Sequence, residues 1–135
     1  TETRGFIISA SLGKDVLPSG GYTLLESYCA DKNCDCRKVM INIFSKKFQN
    51  IIATIGYGWE DEQFYINWML GDQKIGRSIT GAYLEPGGVQ SRYSRACLIF
   101  FQNEIIPRDH TYVDLLKQHS KIFKERLPDQ AHHLA

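Results

Sequence analysis

Three cysteines fall within eight residues of the chain, and they are the side chains best suited to chemistry: Cys29, Cys34 and Cys36. Thiolates at this density suit zinc, which is satisfied by four tetrahedral sulfur or nitrogen donors and does no redox chemistry of its own. A reduced protein has little other use for three thiols so close together. The spacing therefore predicts most of a zinc site.

The chain has four cysteines, and they admit two other uses. Two disulfides would be expected in an oxidising compartment, but a bridge between Cys34 and Cys36 would close a strained ring. Cys29 could form a disulfide with only one of these two cysteines, so the other would have to pair with Cys97. Unligated or redox-active thiols are the further alternative. We expect a cytoplasmic protein, because the sequence shows no secretory signal and no apolar run near the ~18 residues of a membrane span.

A zinc ion with three sulfur ligands needs a fourth donor, and the last predicted helix offers His119. On that helix His119 shares a stripe with Leu116 and Phe123, while charged residues fall on the opposite face. An inward imidazole has to satisfy both ring nitrogens, which a metal at one and a backbone or carboxylate acceptor at the other would do. A core histidine hydrogen-bonded to backbone is the alternative. The predicted zinc ligands are Cys29, Cys34, Cys36 and His119.

The other candidate donors have simpler explanations. Cys97 is the main rival of His119 for the fourth position, although its apolar neighbours are typical of a small buried hydrophobic residue. His110 points about half a turn away from the inward stripe of the last helix. Asp31 and Asp35 are more often turn-forming residues in such loops than ligands.

Strands precede helices along the chain, which predicts an α+β fold. Runs of β-forming residues over 21–28, 39–44 and 51–57 can pair as an antiparallel meander, and the tip of the first hairpin carries the thiols. Residues 6–8 are a candidate edge strand. The length predicts a single globular domain over 1–135, with an N-terminal segment over about 1–20 and a frayed tail over 128–135.

Three helices are predicted after the meander, at about 60–71, 91–106 and 110–127. The acidic run Glu60-Asp61-Glu62 lies where the positive end of the first helix dipole favours negative charge. Residues 72–90 contain four glycines and a proline, which predicts an irregular loop and the best place for an unrecognised binding surface. The predicted fold class is a small antiparallel β-meander followed by three helices and stapled by zinc.

Several blocks of the sequence resemble a family of uncharacterised bacterial proteins. The blocks are Tyr28-Cys29, Cys34-Asp35-Cys36-Arg37, the segment 55–60, Leu116-Lys117-Gln118-His119 and Phe123-Lys124. They form a Y-C-x4-C-D-C-R hairpin loop and a late L-K-x-H-x3-F-K helix, and the resemblance covers about 20–127. It implies a shared fold, the cysteine loop and the late histidine. It implies no activity and no catalytic residue.

The charge balance excludes a general attraction to nucleic acid or lipid, because 16 basic side chains meet 15 acidic ones. The closed ligand set of three cysteines and one histidine indicates a structural zinc, since a catalytic zinc keeps an open position. Neither a His-Glu-x-x-His helix nor a deaminase signature is present. The sequence therefore predicts a binding or scaffold module for protein or nucleic acid, with no membrane partner.

Two features keep other functions open. A metal-dependent hydrolase or transferase is the alternative, with the zinc or Glu60-Asp61-Glu62 in its active site. A basic ridge on the last helix, formed by Lys117, Lys121 and Lys124, is the surface that could meet a phosphate backbone, although a solvated helix face explains it more simply. The aromatic residues with helical spacing are typical of core positions rather than stacking platforms.

Overall fold

The computed structural model describes residues 4–8, 17–31 and 33–128. The predicted tail beyond 128, with His132 and His133, lies outside these residues, as does most of the predicted N-terminal segment. The strands are β1 (Arg4–Ile8), β2 (Gly20–Ser27), β3 (Lys38–Ser45), β4 (Asn50–Gly58) and β5 (Gly81–Leu84). The helices are α1 (Glu62–Trp68), α2 (Gln73–Ser78), α3 (Ser94–Phe100), a π-helical turn (Phe101–Ile105) and α4 (Tyr112–Glu125).

The five strands form one antiparallel sheet in which sequence neighbours are also spatial neighbours, in the order β1-β2-β3-β4-β5. The predicted meander is therefore confirmed, and so is the edge strand at 6–8, where Phe6 lies opposite Tyr22. β5 adds a further edge strand, with Ala82 opposite Tyr57. Consecutive antiparallel strands need no crossover connection, although α1 and α2 lie between β4 and β5 in the chain.

One face of the sheet carries the core. β3 alternates strictly between buried and partly exposed residues, as a strand with one covered face must. Its buried side chains belong to one cluster with residues of α3, the π-helical turn and α4. The buried cluster of sheet and helix residues includes Leu24, Val39, Ile41, Ile43, Ile55, Cys97, Phe101, Tyr112 and Leu116. β2 and α4 are therefore held against each other, and that arrangement positions the site described below.

The prediction of an irregular loop over 72–90 was wrong, because this segment forms α2 and β5. Two of its glycines serve close packing instead of mobility. A Cβ atom on Gly76 would lie 2.6 Å from atoms of Ile66 in α1, and one on Gly88 would lie 2.3 Å from Cβ of Thr54. The segment is tied down further where the backbone N–H of Val89 donates to Oγ1 of Thr54 at 2.9 Å.

The helices match the predicted α+β class, although there are four α-helices in the described residues and not three. α1 begins where the acidic run predicts, since Oδ1 of Asp61 accepts from the backbone N–H of Phe64 at 3.0 Å. The segment predicted as one helix over 91–106 is α3 followed by the π-helical turn. In the parts of the chain that the structure describes, none of the helices has both the length and the apolar character of a membrane span.

Candidate metal centre and adjoining cavity

The candidate ligands lie on the loop between β2 and β3. Cys29 follows the end of β2, whereas Cys34 and Cys36 lie just before β3. Asp31 turns the loop, because its carbonyl accepts from the N–H of Cys34 at 3.2 Å and its Oδ1 accepts from the N–H of Asn33 at 3.0 Å. Asp31 is therefore a turn residue, as its sequence context predicts. The loop brings the chain back on itself and faces the three thiols toward a common point.

The sulfur atoms of Cys29, Cys34 and Cys36 all lie within 4.8 Å of one another. A tetrahedral zinc ion with Zn–S bonds of about 2.3 Å would hold its sulfur ligands about 3.8 Å apart. The three sulfurs thus need only a small contraction to ligate one ion, and soft thiolates are the donors that zinc selects. All four cysteines are free thiols. The proximity that the spacing predicts is present, and the metal itself stays a prediction.

The electrostatic surroundings oppose ionisation of the bare thiols. Burial raises the pKa of the Cys36 thiol, and neighbouring Cys29 adds to that increase. Burial, followed by a hydrogen bond with Cys29, also raises the pKa of the Cys34 thiol. The ammonium group of Lys124 works in the opposite direction at both thiols but does not outweigh burial. A bound cation would supply the positive charge that three adjacent thiolates require.

Helix α4 contacts the cysteine loop directly. Nζ of Lys124 donates a hydrogen bond to the carbonyl of Cys34. The hydroxyl of Tyr28 lies 3.2 Å from the carbonyl of Leu116. The ring centroid of Tyr28 lies 5.8 Å from the ring centroid of Phe123. Lys124 is therefore partly buried against the loop, and the prediction of a solvated ridge that includes it was wrong. Lys124 and Phe123 therefore connect the C-terminal half of the helix to the loop, while Lys121 and Glu125 stay exposed.

Helix α1 contacts the other end of the loop through Tyr65. This hydroxyl donates to the carbonyl of Arg37 at 2.5 Å and accepts from the backbone N–H of Glu60 at 3.1 Å. The side chain is fully buried, and burial raises the pKa of Tyr65 to about 12. The guanidinium of Arg37 lies 4.6 Å from the ring centroid of Phe64 and is also paired with Asp35 at 3.1 Å. The cysteine loop is thus held between α1 and α4.

His119 points inward, as its stripe predicts, with 20% of its side chain exposed. Its Nδ1 lies 2.8 Å from Oε1 of Glu26 on β2. Among the described residues, the three sulfurs are the candidate ligand atoms that lie within 4.8 Å of one another. The imidazole of His119 is not part of this group. The hydrogen-bond partner of His119 is thus a carboxyl group, whereas the alternative of a core histidine predicted a backbone partner. The role of His119 as fourth ligand stays a prediction.

Sequence reasoning missed Glu26, although a signal was present. Glu26 continues the alternation of inward residues on β2 after Tyr22 and Leu24, both of which are buried. A carboxylate at an inward position requires a hydrogen-bond partner. The apolar stripe on the last predicted helix places the imidazole of His119 on the inward face, where it can be that partner. The pairing itself depends on how β2 and α4 are aligned, which periodicity does not specify.

A cavity of about 730 Å³ opens between β2 and α4, next to the cysteine loop. Glu26 and His119 belong to its wall, and the other lining residues are largely apolar. The lining consists of Leu24, Leu25, Glu26, Ser27, Tyr28, Leu115, Gln118, His119, Ile122, Phe123, Arg126 and Leu127. No sulfur ligand contributes to it. The cavity lies beside the cysteine loop, and His119 belongs to its wall.

Cys97 lies in the core, where 1% of it is exposed. Burial raises the pKa of its thiol to about 12. Its burial confirms the interpretation as a small buried hydrophobic residue, and it is not part of the sulfur group. The geometry therefore does not support Cys97 as the fourth zinc ligand in place of His119.

Each residue of the acidic run has a structural partner. Oε1 of Glu60 lies 3.7 Å from the guanidinium of Arg37, and Oε2 of Glu62 lies 3.7 Å from that of Arg77. Asp61 caps α1. These contacts explain the run through helix capping and ion pairing, which leaves the alternative of an acidic catalytic cluster without an observation in its favour.

No protein-family model, curated protein or solved structure matches this chain. The resemblance to the bacterial family with the Y-C-x4-C-D-C-R loop stays a prediction. The function therefore has to be argued from the geometry of the sulfur cluster and its surroundings.

Proposed function

We propose that this chain is a zinc-binding domain in which Cys29, Cys34 and Cys36 hold a structural Zn²⁺ ion and that it serves as a binding or scaffold module. The observation that supports this proposal is the approach of three thiol sulfurs to within 4.8 Å of one another on a single loop. Three adjacent soft donors in a cytoplasmic, reducing environment favour zinc over a disulfide. The free state of all four cysteines agrees with that environment.

The surroundings of the cluster favour a structural role for the metal. The loop is contacted by Lys124 from α4 and by Tyr65 from α1, so an ion bound to its sulfurs would rigidify the point where three elements meet. Metal binding to a site absent from the unfolded chain adds its free energy to that of folding. A zinc ion at this point would stabilise the whole arrangement of sheet and helices.

His119 is the proposed fourth ligand. Its Nδ1 is held by Glu26 at 2.8 Å, which leaves Nε2 as the nitrogen available to a metal. A carboxylate that orients a ligating imidazole is a recurring feature of zinc sites. Coordination would require the ring and the sulfurs to approach more closely than they do here. With this ligand the zinc shell is closed, which agrees with a structural ion.

A protein partner is favoured over nucleic acid because several basic side chains are already engaged. Lys124 donates to the carbonyl of Cys34, and Arg37 is paired with Asp35. Lys38 donates to the hydroxyl of Tyr83 at 2.7 Å. Because these three basic groups already have partners within the protein, they are less available to bind a phosphate backbone. Binding of nucleic acid that weakens steeply with salt would contradict this preference.

The test is metal analysis of protein purified without added metal, combined with thermal unfolding before and after chelation. We expect one zinc per chain and a clear fall of the melting temperature when the zinc is removed. Protein that is fully folded, reduced and free of metal would contradict the proposal. If chelation leaves the fold intact but abolishes a hydrolytic or transfer activity, the enzyme alternative replaces the structural one.

A further inference from the structure

The cavity between β2 and α4 combines apolar walls with a single buried polar pair. Most of its wall comes from aliphatic and aromatic side chains, among them Leu24, Leu115, Ile122, Phe123 and Leu127. The polar pair is Glu26 with His119, whose side chains are 10% and 20% exposed. A volume of about 730 Å³ is in the range of small-molecule sites. Apolar walls around a few converging polar groups are the usual composition of such sites.

The hydrogen bonds of this pair leave one carboxyl oxygen and one ring nitrogen without protein partners. Oε1 of Glu26 accepts from the hydroxyl of Tyr28 and from Nδ1 of His119. Within the described residues, Oε2 of Glu26 and Nε2 of His119 have no hydrogen-bond partner, and neither is among the fully buried unpaired atoms. Glu26 lines the cavity, and its Oε2 is an acceptor that the described residues leave unpaired.

The charge of the cavity points to the same class of ligand. Glu26 has a carboxyl side chain that is nine-tenths buried, and its two hydrogen-bond partners, Tyr28 and His119, both lie at Oε1. Arg126 also lines the cavity, but it is exposed, so water screens its charge. A buried carboxylate with an unpaired oxygen favours a cation that can donate hydrogen bonds.

We propose that this cavity binds a small organic ammonium ion with an apolar chain. An ammonium group has three donors and no acceptor, which matches the unpaired Oε2 of Glu26. The alkyl or aryl part of the ligand would pack against the wall formed by Ile122 and Phe123. The carboxylate of Glu26 is the essential group. The proposed contact uses Oε2 of Glu26 and not Nε2 of His119, so this site does not rest on the proposed metal centre.

The proposal is tested by titrating the full chain, as purified, with three hexyl compounds that differ only in their head group. Hexylamine, hexanol and hexanoate are added at one pH and one ionic strength, and backbone amide shifts are followed by NMR. We expect the ammonium to bind at least fivefold more tightly than the alcohol, and hexanoate to bind most weakly. The shifts should concentrate on residues 24–28 and 115–127.

Two variants separate recognition from folding. Glu26→Gln keeps the shape of the side chain but removes its charge, and should weaken hexylamine at least fivefold with little effect on hexanol. Glu125→Gln removes an exposed charge from the same helix and should leave binding unchanged. Ile122→Phe fills part of the cavity and should weaken both hexylamine and hexanol. Zinc content and the melting curve are recorded for every sample, so loss of the metal centre is seen separately.

Equal or tighter binding of hexanoate would overturn the proposal, as would shifts scattered over the surface. It would also be overturned if Glu26→Gln, folded according to its amide spectrum, bound hexylamine as tightly as the parent chain. If Glu26→Gln does not fold, the response of Ile122→Phe decides, because that variant retains the carboxylate. Undiminished hexylamine binding by Ile122→Phe would place the ligand elsewhere.

Discussion

Nδ1 of His119 on helix α4 lies 2.8 Å from Oε1 of Glu26 on strand β2, and the two residues are 93 positions apart in the chain. This contact joins the sheet to the last helix beside the cysteine loop. It fixes the ring orientation, because Nδ1 is held at hydrogen-bond distance from the carboxyl group. Nε2 is therefore the nitrogen available for a metal or for a ligand in the cavity.

The three clustered cysteines should be required for zinc binding, whereas the buried one should not. Single substitutions Cys29→Ser, Cys34→Ser and Cys36→Ser are each expected to leave substoichiometric zinc, because each removes one thiolate from the cluster. Cys97→Ala is the matched control. It should retain the zinc but lower the free energy of unfolding by about 1–2 kcal/mol, since it leaves a small void in the core. Metal analysis and denaturant unfolding measure both effects.

The fourth ligand can be identified by removing the imidazole. His119→Gln is expected to weaken zinc binding by more than the about tenfold to a hundredfold that loss of a supporting residue costs, because it removes a ligand itself. The measurement is competition for zinc with a chromophoric chelator. His110→Gln, a change at an exposed position, should have no effect. An unchanged zinc affinity in His119→Gln would show that another donor completes the shell.

Lys124 should slow the loss of metal because it ties α4 to the cysteine loop. Lys124→Met removes the hydrogen bond to the carbonyl of Cys34. If this bond contributes about 0.5–1.5 kcal/mol, zinc should leave about twofold to tenfold faster in excess chelator. Lys121→Met, an exposed change on the same helix, is the control. Equal release rates for the two variants would show that the contact does not protect the site.

Tyr65 should support the base of the cysteine loop. Tyr65→Phe leaves the carbonyl of Arg37 and the backbone N–H of Glu60 without their hydroxyl partner. The expected loss in free energy of unfolding is about 1–3 kcal/mol, because buried polar groups lose a hydrogen bond. Denaturant unfolding at neutral pH measures it, and a loss near zero would mean that water replaces the hydroxyl without cost.

The same substitution should change the response of stability to alkaline pH. Burial raises the pKa of Tyr65 from 10.0 to about 12, so the folded state keeps a proton that the unfolded state loses between these values. Stability therefore falls as pH rises through this window, and the contribution is complete below pH 10. The unfolding free energy of Tyr65→Phe should decline less steeply above pH 10 than that of the parent chain. Parallel declines would contradict this assignment.

Much of the fold could be predicted because it depends on near neighbours in the chain. The alternation in β3 and the N-cap at Asp61 follow from periodicity and local hydrogen bonding, and both are present. The segment 72–90 could not be predicted, since its glycines suggest a loop when read alone. Gly76 is required by the close approach of Ile66 from another helix, which no local pattern reveals.

The approach of Cys29, Cys34 and Cys36 was determined by the sequence itself, because covalent geometry keeps residues within one short loop close together and Asp31 supplies the turn. Only the tertiary structure decided that Glu26 faces His119 and that Lys124 contacts Cys34. Those pairs depend on the alignment of β2 with α4. That alignment is set by the packing of the whole core and not by the spacing of any residues along the chain.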